Sequence, residues 1–339
     1  MAAKSRDRGN LKARAFRAGD RVRVRSFAEI AATLDAEGAL DGLPFLPEMA
    51  RYCGRAFTVR RRVDKLIQEG VGSSMRRIRD VVLLDGTICD GAAHGDCRRA
   101  CFPLWKTAWL ESGGAPAPAG PAIGPSSGAK TPTLGAAAAG PSADMARVPP
   151  PPASLSSSPN GCQVTALMTA TTPLPLWHPS RHLLELKAGT YSVREYAAYL
   201  FGGLYRKTVK RLVDAVARPS DRPNAAGPAS PASSPASDLK PGDLVEVRSE
   251  EEIRSTLDAE GRYKGLYFMP GMWALCGRRL RVVQRVDRMM SERTGDMRVL
   301  SGTYILEGAT CDGKAHGGCQ RGCYVFWTDV WLKKAVGTR

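Results

Sequence analysis

Eight of the nine cysteines fall into two matching sets. Cys53 is followed by Cys89, His94, Cys97 and Cys101, and Cys276 by Cys311, His316, Cys319 and Cys323. In both sets the last four residues read C-x4-H-x2-C-x3-C, inside "CDGAAHGDCRRACFPLWKTAWL" and "CDGKAHGGCQRGCYVFWTDVWL". Thiolates with one imidazole are soft donors, and a tetrahedral set of them fits zinc in a closed, structural site. Five candidates for four positions leave two arrangements. Either four cysteines bind with the histidine outside them, the arrangement we favour from the sequence, or the histidine replaces Cys53 or Cys276. An iron–sulfur cluster held by the same four cysteines is the rival cofactor.

Other chemistries use the same residues. Free cysteine packs as a small hydrophobe, so each set could be plain core. A disulfide framework needs an oxidising compartment. Cys97 with His94 could form a thiol nucleophile, although no third orienting residue is evident. Cys162 has no counterpart and reads as inert. His178 and His182 have helical spacing but no accompanying carboxylate motif, which reads as surface or capping.

The elements that must position these residues are themselves repeated. "AGDRVRVRSFAEIAATLDAEG" at 18–38 matches "PGDLVEVRSEEEIRSTLDAEG" at 241–261, and "GLPFLPEMARYCGRAFTVRRRVDK" at 42–65 matches "GLYFMPGMWALCGRRLRVVQRVDR" at 265–288. The offset is 223 residues in these blocks and 222 at the cysteine motif, so the loop between them is one residue shorter in the second copy. We read two copies of one small module, 16–112 and 238–334. In each, "DRVRVR"-type alternation predicts a half-buried strand. Ser26 with Glu29, and Ser249 with Glu252, predict capping boxes opening short helices. A proline loop and a C-G turn then lead to two strands, "AFTVRRRVDKLI" and "VVLLDGTI" in the first copy. Cys97, Cys101, Trp105 and Trp109 follow one another at intervals of four. That spacing predicts a helix with the thiols on one face and Cys97 or Cys319 in its first turn. Trp105, Trp109, Trp327 and Trp331 read as core, the alternative being platforms for stacking nucleobases.

Between the copies, 113–160 is rich in Ala, Pro, Gly and Ser and lacks the apolar surface needed to offset the entropy of ordering. It reads as a disordered linker, as does 218–237. The island at 161–217 reads as a helical segment. Ser192 and Glu195 make a capping box, and Val193, Tyr196, Leu200, Leu204, Leu212 and Val216 form a stripe bordered by Lys207, Lys210 and Arg211. Packing against core or partner is expected there. An anionic membrane surface reached through residues 192–216 is the alternative.

The stretch "GDRVRV…LP…PEMARYCGRAFTV" resembles the small Src-homology-type β-barrel of nitrile hydratase β-subunits and of the ferredoxin–thioredoxin reductase variable chain. The resemblance covers about 45 residues per copy and implies a small barrel with an accessory role. Both copies depart from it in the cysteine before the glycine and in the cysteine-rich tail. That tail is similar to strings in uncharacterised bacterial proteins, which implies no function.

The formal net charge is +16, and residues 1–110 carry 21 Lys+Arg against 13 Asp+Glu. A basic balance favours polyanions. The chain contains no GxGxxG, phosphate loop, HExxH or GxSxG, which removes those enzyme classes. No apolar run is long enough to span a bilayer, and the N-terminal stretch lacks a secretory apolar segment. A cytoplasmic, mainly β protein is expected: two tandem metal-stapled barrels joined by linkers, acting as a non-catalytic zinc adaptor for a protein partner. A nucleic-acid-binding protein and an iron–sulfur or metal-handling redox accessory are the alternatives. Limited proteolysis should cut first within 113–160 and 218–237, since exposed unstructured backbone is cleaved preferentially. Survival of the 113–160 stretch under conditions that nick the rest would contradict this reading of its composition.

Overall fold

The computed structural model describes residues 15–68, 74–113, 162–175, 178, 184, 194 and 238–335. It is mainly β, with several small sheets and short helices, and divides into two units. Unit 1 is residues 1–173 with 290–297, and unit 2 is 174–289 with 298–339.

Unit 1 starts with β1 (Arg21–Val24), where buried Val22 and Val24 alternate with exposed Arg21 and Arg23. Such period-two patterning commits one face of a strand to the core. The short helix α1 (Phe27–Ala31) follows, opened by the expected capping box: the Glu29 N–H donates to Ser26 Oγ at 3.3 Å, and the Ser26 N–H to Glu29 Oε2 at 3.0 Å. The hairpin β2 (Ala39–Leu40) and β3 (Leu43–Pro44) leads through a 3-10 turn, Pro47–Tyr52, to β4 (Ala56–Ile67) and β5 (Met75–Leu84). Two register shifts between β4 and β5, at Val59/Arg61 and Val63/Lys65, mark irregularities that increase local twist. Strands β6 (Trp105–Lys106) and β7 (Leu110–Ser112) complete the path β6-β5-β4-β1-β7. Its end strands are not paired with each other among the described residues, which leaves a half-barrel.

Unit 2 repeats this path. β9 (Leu244–Val247), α3 (Glu250–Arg254), the β10 (Arg262–Tyr263) and β11 (Leu266–Tyr267) hairpin, and β12 (Arg279–Arg285) follow in the same order. Two short strands, β13 (Arg288–Met290) and β14 (Met297–Val299), pair with each other. β15 (Thr303–Thr310), β16 (Tyr324–Thr328) and β17 (Leu332–Lys334) complete a sheet of order β16-β15-β12-β9-β17. α3 carries the second expected capping box, between Ser249 and Glu252.

Each core is centred on one phenylalanine with two indoles edge-on to it. Phe45 meets Trp105 at 6.2 Å and 75°, and Trp109 at 5.3 Å and 85°. Phe268 meets Trp327 at 6.0 Å and 86°, and Trp331 at 5.0 Å and 87°. Edge-to-face packing sets the positive ring edge against the negative face, which adds to the area term. All four tryptophans are fully buried.

The helix expected over Cys97–Trp109 does not form. Residues 97–104 are irregular, β6 follows, and Thr107–Trp109 is a 3-10 turn. The backbone explains why. Asp96 and Ala100 have φ of 55° and 52°, as do Gly317, Gly318 and Gly322 at 61°, 80° and 63° in the second copy, and a right-handed helix admits none of these. Pro103 also supplies no N–H. Spacing of four therefore reported a shared core, not a shared helix.

Residues 162–175 add α2 (Leu167–Ala170) and β8 (Thr172–Pro173), which pairs with β5. Gln163 is buried and ties the segment down. Its Oε1 accepts the Leu104 N–H at 2.8 Å, and its Nε2 donates to the Pro44 and Leu104 carbonyls at 3.0 Å each. The expected stripe from Val193 and the two linkers, apart from Gly113, lie outside the described residues. Among those residues no helix is long and apolar enough to cross a membrane.

One core difference yields a test. Trp105 Nε1 donates to Thr87 Oγ1 at 3.3 Å, whereas Trp327 Nε1 is buried with no partner among the described residues. The residue matching Thr87 is Ala309. A buried donor without an acceptor costs about 1–3 kcal/mol. Ala309→Thr should therefore stabilise the protein by about 1 kcal/mol, and Thr87→Ala should destabilise it by about 1–3 kcal/mol. Denaturant melts with opposite signs for the two variants would establish this; a destabilising Ala309→Thr would show that the site cannot take the hydroxyl.

Candidate metal centre

The cysteine loop of unit 1 leaves β5 through Asp85–Gly86 and is closed at its base, where the Cys89 N–H donates to the Cys101 carbonyl at 2.9 Å. Inside it, Asp90 Oδ1 accepts the Ala92 N–H at 3.1 Å, the local turn expected from "CDG". Asp90 Oδ2 also pairs with Arg51, which donates to the Ile88 carbonyl at 2.8 Å. The loop then folds tightly on itself. A Cβ on Gly91, whose φ is 76°, would run into the carbonyl and amide of Cys97. Only glycine tolerates both that conformation and that approach.

This fold places His94, in the 3-10 turn Ala92–His94, against the turn Pro47–Tyr52. Cys89 Sγ lies 3.5 Å from His94 Nε2 and 3.2 Å from Glu48 Oε1. The three ligand atoms lie within 4.8 Å of one another, and among the described residues this is the one His/Cys/Asp/Glu group of three or more that converges so closely. Cys89, His94, Cys97 and Cys162 are all buried. The thiols of Cys162, Cys89 and Cys97 all face the imidazole.

Buried charges explain the electrostatics. Burial alone would discharge His94, but the thiols of Cys162, Cys89 and Cys97 outweigh it and hold the imidazole protonated far above its usual range. Cys97 shows the reciprocal effect. Burial pushes it up, yet His94 and the N–H groups of Met290 and Arg99 leave it below an ordinary thiol. The Met290 N–H lies 3.3 Å from Cys97 Sγ. Cys89 is pushed up to about 11, mainly by burial and also by Glu48, against the pull of His94. Glu48 Oε2 and His94 Nδ1 are buried without a hydrogen-bond partner among the described residues. A carboxylate, an imidazole and a thiol converging in a buried site, with further thiols beside the imidazole, suit a cation, which would replace the missing partners and draw off the thiol protons.

Of the expected ligands, Cys89 and His94 are in the converging group and Cys97 borders it. Cys101 closes the loop through its carbonyl, and its thiol is not in the group. Cys53 ends the Pro47–Tyr52 turn, half-buried and pushed up to about 11 by burial alone. Sequence reasoning missed Glu48 and Cys162. Glu48 is matched by Gly271 in the second copy, so comparing the repeats pointed away from it. Cys162, which has no counterpart in the repeat, lies beside His94, where the Gln163 contacts hold its segment.

The matching loop of unit 2 closes in the same way, with the Cys311 N–H donating to the Cys323 carbonyl at 2.7 Å. A Cβ on Gly313 would strike the Cys319 carbonyl. The Gly313 N–H points at Cys311 Sγ, 3.3 Å away. Burial pushes Cys311 up to about 12, reinforced by the charges of Cys323 and Cys319. Burial also raises Cys276. His316 differs from His94: its Nε2 lies 3.2 Å from the sulfur of Met269.

No family model, curated protein or solved structure matches this chain.

The raised thiols predict an alkaline signature. Without metal, the folded state holds the Cys89 proton more tightly than the unfolded chain, in which an ordinary thiol loses it near 9.0. This contribution is complete below about pH 9 and is lost as pH rises through about 11, by on the order of 2–3 kcal/mol. Cys53 and Cys311 act in the same direction. Metal binding removes the proton from the folded state and with it the loss. Thermal melts should therefore fall between about pH 9 and 11 in chelator and stay flatter with zinc; parallel curves would contradict this electrostatic account. Gly91→Ala should abolish metal retention at the first site, whereas Gly54→Ala, at a similar φ of 73° but with open space around its Cβ, should preserve it.

Proposed function

We propose that this protein is a non-catalytic metal-binding adaptor, with a zinc-class ion in the first repeat and the two repeats offering two binding modules. The convergence of Glu48, Cys89 and His94, with Cys97 and Cys162 at the same imidazole, carries the reading. Zinc takes sulfur, nitrogen and carboxylate oxygen in tetrahedral sets, so four of these five residues complete a closed site. A mixed set with a carboxylate favours a single ion over an iron–sulfur cluster, whose ligands are chiefly thiolates. Cys97 with His94 would make a nucleophile in an open cleft, but Cys97 is only 4% exposed, so no substrate reaches it in this conformation. The buried indoles likewise offer no stacking surface for nucleobases.

A bound ion contributes folding energy to a small domain, and duplication across a Pro/Ala-rich tether raises effective concentration for a partner with paired sites. The adaptor role toward a protein partner rests on that organisation and on the closed character of the site.

Elemental analysis of protein purified without air should find two metals per chain; less than about 0.3 equivalents after expression in ample zinc counts against the proposal. Cys89→Ser should remove one equivalent and lower the first transition. Cys162→Ser separates the two ligand sets. It weakens the first site if the observed group binds, and is silent if Cys53, Cys89, Cys97 and Cys101 bind instead.

A further inference from the structure

The two repeats differ where their donors face each other. Leu46 is replaced by Met269, and Glu48 by Gly271. The first change adds a thioether beside the histidine, 3.2 Å from His316 Nε2. The second removes the carboxylate and leaves an opening: Met269, Gly271, Leu275, Cys311, Asp312 and Ala315 line one pocket. Cys311 therefore shares this pocket with the sulfur donor Met269, where Cys89 faces the carboxylate of Glu48. An oxygen donor has been exchanged for a sulfur donor on a conserved loop geometry, with the same closing hydrogen bond and the same left-handed glycine.

We propose that the second repeat binds a soft monovalent cation of the copper(I) class, through Met269 Sδ, His316 Nε2 and Cys311 Sγ. Thiolate and thioether donors select copper(I), whereas a carboxylate favours harder divalent ions. Three donors also suffice for copper(I), and the opening left by Gly271 gives the ion a route for exchange. The two sites are then not duplicates. The first holds a divalent ion in a closed set built around Cys89, and the second holds an exchangeable soft ion. This deepens the metal-binding reading and rests on it.

The test uses the full chain, reduced, stripped of metal and kept without air. It is titrated with zinc(II) and then with copper(I) supplied as its bicinchoninate complex. The expected result is one zinc retained and one copper(I) withdrawn from the chelator. Loss of an outer-shell partner already costs about 10–100-fold in metal affinity, so Met269→Leu, which restores the residue of the first repeat, should weaken copper(I) binding at least about tenfold. Its melting curve without metal should match wild type. Cys311→Ser should also weaken copper(I) while the zinc equivalent remains. Met269→Leu with Gly271→Glu should shift the second site toward zinc. A Cβ at 271 meets Asp312 at 3.9 Å, an ordinary contact. Copper(I) affinity unchanged in both Met269→Leu and Cys311→Ser overturns the inference, as does uptake of two zinc ions that copper(I) does not displace. In either case the zinc site of the first repeat stands. Failure to bind either metal overturns the metal-binding reading as well.

Discussion

The candidate centre depends on the close approach of one glycine to one cysteine backbone. Gly91 at φ 76° lies against Cys97, and Gly313 at φ 79° lies against Cys319, with no room for a Cβ in either case. That closure turns a loop rich in polar side chains inward. It brings the histidine turn against the Pro47–Tyr52 turn and sets the thiols around the imidazole. A side chain at Gly91 would move Cys97, and with it the group that keeps His94 charged. The Cys89–Cys101 hydrogen bond then holds the base of the loop on the sheet.

Burying this much titratable chemistry is costly, and compensation is local. Burial alone would lower His94, and the neighbouring thiols raise it; burial alone would raise Cys97, and His94 with two backbone N–H groups lowers it. Cys89, with a carboxylate neighbour, goes the other way. Such opposed shifts within one cluster of side chains follow from burial set against specific charged and hydrogen-bonding neighbours.

The sheets have a different task. They are stabilised by a phenylalanine with two indoles edge-on, an arrangement repeated almost without change. Some differences between the repeats fall among the donors around the cysteine loops. Glu48 becomes Gly271, Leu46 becomes Met269, and Cys162 lies beside the histidine of the first loop.

Much was legible in the sequence because it depends on near neighbours. The capping boxes need only residues three apart, β1 and β9 announce themselves by alternation, and the C-x4-H-x2-C spacing places Cys89, His94 and Cys97 on one loop. The cores were legible as four tryptophans, although the helix inferred from their spacing was not there. Period four also arises when a short strand runs into a 3-10 turn, and positive φ at Asp96 and Ala100 is not written in residue type. Glu48 and Cys162 could be placed only by the tertiary structure. Their approach to His94 depends on how the Pro47–Tyr52 turn packs on the loop and on Gln163 bonding the Leu104 and Pro44 backbone. Repeat comparison cannot reveal a side chain that one repeat lacks, nor one contributed from outside it. Local spacing therefore determined which residues could bind a metal, and long-range packing decided which of them meet.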